Sequence, residues 1–155
     1  MDSFPYSAIL PIIPDAAVLV DRYMLIRAAN LRAAQVFGYA PNELAGLPLS
    51  ELIPQDKREY HAAMVAGFMA APADRSMATG TLFSGQRKDG STFPADIALG
   101  PIGEGPDLMI LATIRDITAQ KQAEIELKQA NRAMRLLSAS NRTLLRSTLE
   151  DDLLA

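Results

Sequence analysis

The chain has 155 residues, 49% of them hydrophobic, and a net charge of -3, which suits about one domain with an appended segment. Its basic residues are scattered, giving neither a stripe to follow a nucleic-acid backbone nor a polybasic patch for a membrane surface. Cysteine is absent, which excludes disulfides, thiolate metal sites, thiol nucleophiles and any flavin photosensor that works through a cysteinyl adduct. The first residues, MDSFPYS, lack the charged and apolar regions of a signal peptide, and no stretch approaches the ~18 apolar residues of a membrane span. A cytoplasmic protein with neither nucleic acid nor membrane as partner is expected.

Tyr6, Ile9, Leu10 and Ile13 share one face of a short helix that Pro11 and Pro14 limit, so residues 1–14 predict an N-terminal flanking helix. Ala16 to Val20 and Met24 to Ala28 are apolar runs joined by Asp21-Arg22, the pattern of a hairpin. Asn30 is placed to cap a helix that carries Ala33, Ala34, Val36 and Phe37 and stops at Gly38. Pro41-Asn42-Glu43-Leu44 predicts a brief helix ended by Gly46 and Pro48, with a further turn at Leu49 to Ile53. From Gln55 to Ala71 the pattern is a longer helix, with Asp56 as cap and Tyr60, Met64, Val65 and Phe68 as its apolar stripe.

Three strands are predicted next, at Thr79 to Arg87, Ser91 to Ile102 and Leu108 to Ile117. Phe93, Ala95, Ile97 and Leu99 alternate with more polar neighbours, the period of a strand with one buried face. Lys88-Asp89-Gly90 reads as a tight turn in which Gly90 supplies a positive φ. Arg75, Arg87 and Lys88 read as solvated charges flanking strands. The five strands have their helices between the second and third, an α+β order rather than alternating βαβ units. From 119 to 149 the period becomes ~3.5, and Ala123, Leu127, Ala130, Met134, Leu137, Asn141 and Leu144 fall on one heptad seam. A parallel dimer is expected, with Asn141 at an a position trading stability for register. Residues 150–155 read as a tail or the start of a following domain.

AAVLVD, NLRAAQVFGYAPNELAGLPLSELIP, RKDGSTFP and IRDIT stand in an order and spacing that resembles the PAS sensory domain over residues 15–118. The resemblance implies a PAS-like five-stranded antiparallel sheet with short helices on one face, cupping a small cavity. It further implies an input module of histidine kinases, diguanylate cyclases and related signalling proteins, in which Asp116 and Thr118 tie the last strand to the output helix. The same two residues read locally as a helix cap. LLSASNRTLLRSTLEDDLLA is similar to the start of a GAF-type domain, so the protein is expected to continue beyond Ala155.

His61 is the single histidine. In heme-binding PAS domains of the oxygen-sensor kinase type an equivalent helix supplies the iron ligand, and QDKREYH falls in register with it. Thr81 stands where the resemblance calls for a dioxygen-holding arginine, and Gly67 where it calls for another basic residue. His61 is therefore read first as a structural or hydrogen-bonding histidine, with heme iron as the alternative. No GxSxG elbow is present, Gly100, Gly103 and Gly105 sit between strands rather than before a helix, and Ala62 follows His61 where a phosphorylated histidine has an acidic neighbour. The chain itself is thus not expected to be an enzyme. Val36, Phe37, Leu52, Met64, Phe68, Phe83, Ile97 and Ile110 are the expected cavity wall. Three readings follow: a ligand-binding sensory module relaying through a coiled coil of Leu127, Met134, Leu137, Asn141 and Leu144 to an effector; a heme sensor; and a dimeriser without ligand.

Overall fold

A computed structural model describes residues 6–72, 75–76 and 83–154 of the chain. Helix Tyr6–Ile9 (α1) and a 3-10 turn at Leu10–Ile12 lead into strand Ala16–Asp21 (β1). A turn in which Met24 takes φ 67° returns the chain as Ile26–Ala29 (β2), antiparallel to β1. Asp21 builds that turn, because its Oδ1 accepts the N–H groups of Tyr23 at 2.8 Å and Leu25 at 3.1 Å. Helix Leu31–Phe37 (α2) begins as expected on Asn30, whose Oδ1 accepts Ala33 N–H at 2.9 Å, and ends at Gly38 in the left-handed region at φ 77°.

The expected helix at Pro41–Leu44 is replaced by turns. Its backbone groups are used elsewhere: Ile26 N–H donates to Leu47 O at 2.9 Å and Gly46 N–H to Ile26 O at 2.7 Å, so the segment clings to β2. So short a helix cannot repay its own nucleation against such bonds. Two 3-10 turns, Leu49–Leu52 and Gln55–Lys57, precede helix Arg58–Ala70 (α3). Asp56 does not cap α3, because the chain enters through the second of those turns and no side chain caps the helix at Lys57. Tyr60 is likewise off the buried stripe at 61% exposure. The residues that face inward are His61, Met64, Val65 and Phe68, spaced i, i+3, i+4 and i+7.

Arg75–Ser76 (β3) and Phe83–Gln86 (β4) pair antiparallel with the same strand, Thr92–Ile102 (β5), Ser76 lying opposite Ala98 and Phe83 opposite Ala95. Both lie along the same side of β5 and occupy one place in the strand order; Thr79 to Leu82, the first part of the strand expected there, lie outside the described residues. Met109–Asp116 (β6) lies between β5 and β1. The sheet is therefore antiparallel and five-stranded in the order β2-β1-β6-β5 and the edge. All six residues of β1 are buried, which is why AAVLV reads as an unbroken apolar run rather than an alternation.

The turn between β4 and β5 forms as its sequence predicts, with Gly90 at φ 88° and Arg87 N–H donating to Ser91 O at 2.8 Å. Gly85 of β4 lies opposite Phe93 of β5. A Cβ there would come within 2.5 Å of Phe93 Cζ. The ring has little room to retreat, being 2% exposed, with Phe37 at 5.4 Å and Arg87 Cζ at 4.5 Å from its centroid. Gly85→Ala is expected to lower stability by about 1–3 kcal/mol through overpacking; a denaturant midpoint equal to wild type would show that the ring yields freely.

Residues 119–155 form a second compact unit, essentially the single helix Thr118–Leu154 (α4). At 1.5 Å per residue α4 is about 55 Å long. Leu127, Met134, Leu137 and Leu144 are each exposed by 62–66%, and Asn141 is exposed among them.

Candidate functional site: a cavity under the sheet and the joint to the last helix

The inner face of the sheet and the buried stripe of α3 enclose a cavity of about 70 Å³. Alternation delivers its floor: Val18 and Val20 from β1, Ala95, Ile97 and Leu99 from β5, Ile110, Ala112 and Ile114 from β6. Of the expected wall residues, Phe37, Leu52, Met64, Phe68, Phe83, Ile97 and Ile110 line it. Val36 does not; successive residues of a helix point about 100° apart, and with Phe37 turned inward Val36 packs half-buried against the core. The α3 stripe places His61 in the cavity wall beside Met64, Val65 and Phe68.

Burial pushes the His61 imidazole below its ordinary pKa of 6.5, because the apolar wall disfavours the charged ring. No hydrogen bond or ion pair holds the ring among the described residues. The native state therefore keeps His61 neutral where the unfolded chain already binds a proton. Stability should fall as pH drops below about 6.5 and level off beneath the folded pKa. Unfolding measured from about pH 7.5 to about pH 5.5 should show this slope in wild type and lose it in His61→Gln, since carboxylates ordinarily titrate below this range, at about 4. An identical slope in the variant would remove His61 as its source.

Heme does not fit this site as it stands. An apolar cavity of about 150 Å³ accepts benzene, and the two spaces that His61 borders are about 70 Å³ and 170 Å³, short of a porphyrin. Among the described residues no group of three or more metal-ligating side chains is present. No helix among the described residues is long and apolar enough to cross a membrane.

At the edge of the sheet the structure assembles a polar joint that the sequence reading resolved only in part. Asp116, at the end of β6, uses Oδ1 to accept the Thr118 N–H at 2.9 Å and the Thr118 hydroxyl, fastening the first residue of α4. Its Oδ2 accepts from Arg87 Nη2 at 2.8 Å. Arg87 is thus not a plain solvated charge. Its Nε donates to Val36 O at 3.2 Å, and its guanidinium lies on the Phe93 ring. Lys88 likewise donates its backbone N–H to Phe37 O at 2.9 Å and pairs with Glu43. The hairpin turn thereby satisfies carbonyls at the open end of α2 while its arginine pairs with Asp116, the carboxylate that bonds Thr118. Arg75's side chain lies outside the described residues.

A sheet of this order, a helix-covered cavity and an Asp-Ile-Thr exit together match one family, whose sequence profile, the PAS fold, covers residues 6–117. The chain belongs to the PAS family. It is 26% identical over 122 residues to the sensor protein FixL of Bradyrhizobium diazoefficiens, an overlap of 79% of this chain and 24% of FixL. The chain thus spans about a quarter of that relative's length. Among solved structures, the PAS domain of a Colwellia psychrerythraea protein superposes with TM-score 0.62 at 22% identity, covering 73% of this chain and 94% of that one. The PAS domain of an HTR-like protein from Haloarcula marismortui gives TM-score 0.58 at 24% identity, covering 71% and 87%. These likenesses show the PAS fold.

Proposed function

We propose that the chain is the sensory input and dimerisation module of a signal-transduction protein, taking a small ligand in the PAS cavity and passing the change through α4. The observation that carries this reading is the shared carboxylate of Asp116, one oxygen on the start of α4 and the other on Arg87. Arg87 in turn holds the carbonyl of Val36, next to Phe37 in the cavity wall. A shift of α2 or of the β4–β5 hairpin on ligand uptake would change the seat of α4. Only a ligand with different affinity for the two arrangements can bias them.

The exposed apolar row Leu127, Met134, Leu137 and Leu144 supports pairing with a second copy, with Asn141 fixing the register. The effector, of kinase or cyclase type, lies outside this chain, which itself performs no catalysis. Sedimentation of the whole chain is expected to give twice its protomer mass, and a version ending at Ala119 only the mass of its own single chain. A truncated version that still sediments at twice its own chain mass would place dimerisation in the folded head and leave α4 without its proposed role.

The cavity supports ligand binding over a purely structural role, and its size supports a small organic ligand over heme. A Soret band in freshly purified protein, lost in His61→Ala, would reverse the second preference.

A further inference from the structure

The cavity has a neighbour. A cleft of about 170 Å³ lies on its α3 side, and His61, Met64 and Phe83 belong to the walls of both. Toward solvent the cleft is bounded by Lys57, just before α3, and by Tyr60, which is 61% exposed. The two spaces share Ile53, His61, Met64, Phe83, Ser84 and Ile97, and the outer one differs by adding Lys57 and Tyr60. Lys57 is exposed and forms no ion pair among the described residues. The partition includes Met64, an unbranched thioether side chain that changes rotamer at little cost.

An ion cannot leave water for the inner space, because burying an unpaired carboxylate there is prohibitive. A ligand that fills both spaces is therefore apolar at its inner end, and an anionic outer end gains the contact with Lys57. We propose that cavity and cleft together bind a small amphipathic carboxylate. Its acyl tail passes Met64 into the space beneath the sheet, and its carboxylate remains at the mouth on the Lys57 ammonium. Neutral His61 stands at the neck with one donor and one acceptor nitrogen to offer. This assignment rests on the ligand-binding reading above and names the chemistry of the ligand.

Calorimetric titration of the whole chain with octanoate, 1-octanol and acetate tests it. Octanoate should bind about tenfold or more tightly than 1-octanol, the worth of a charge-assisted contact, and acetate should not bind measurably. Lys57→Gln, a change at an exposed position, should erase the difference while leaving 1-octanol unchanged; Met64→Trp should block both. Equal binding of octanoate and 1-octanol to wild type, or an octanoate affinity indifferent to Lys57→Gln, overturns the anionic-head assignment and leaves the small-ligand reading intact. Failure of wild type to bind either amphiphile overturns both.

Discussion

Asn30→Ala is expected to cost the domain about 3 kcal/mol or more, the sum of a lost helix cap and of buried partners left without bonds. Asn30 is 6% exposed. Its Oδ1 accepts the N–H groups of Ala33 at 2.9 Å and Ala17 at 3.0 Å, so one oxygen caps α2 and pins it to β1. Its Nδ2 faces the carbonyls of Asp15 at 2.8 Å, Leu10 at 3.2 Å and Ile13 at 3.3 Å, holding the N-terminal segment to the domain. Alanine leaves these groups unpaired where water enters with difficulty, except the Leu10 carbonyl, which also accepts the Ile13 N–H at 3.3 Å. Against a total stability of ~5–15 kcal/mol for a domain of ordinary stability, such a loss should lower the melting temperature by roughly 10 °C or more. A shift of only a degree or two would mean that water replaces the amide.

Asp116→Ala is expected to unfasten the first turn of α4 while leaving the domain folded. The ion pair with Arg87 is only partly shielded, the side chains being 29% and 26% exposed, so its own worth is about 1 kcal/mol. The same substitution also takes the acceptor from the Thr118 N–H, an unmet helix donor otherwise. Opening of that turn should become roughly tenfold more frequent, the equivalent of ~1.4 kcal/mol, and amide hydrogen exchange at residues 118–122 would register it. Arg87→Ala should reproduce part of the effect, since Thr118 keeps its acceptor. If exchange in that turn stays at the wild-type rate in both variants, the carboxylate is not what seats the helix.

Much of the PAS fold was legible in the sequence because local signals agreed with the final structure. Phe93, Ala95, Ile97 and Leu99 keep strict alternation, Gly90 and Gly38 supply the left-handed positions, and Asn30 caps where it is expected. The failures share a cause. Pro41–Leu44 and Asp56 have helix-start chemistry, yet bonds to β2 and a 3-10 turn compete successfully for the backbone there. Tyr60 and His61 are neighbours, and only the tilt of α3 against the sheet decides which faces inward. Arg87 meets Asp116 across 29 positions, a pairing that no local spacing announces. The same is true of the cleft that brings Lys57 toward Phe83.

The place of β1 between β2 and β6 bears on how the protein is made. Ala16 pairs with Ile114 and Asp21 with Met109, so one margin of the sheet's first strand waits for its last. Until then an apolar ribbon, AAVLV, stands with open backbone groups, the situation that invites intermolecular association. Nascent chains stalled before Met109 should depend on chaperones, and those released past Asp116 should not.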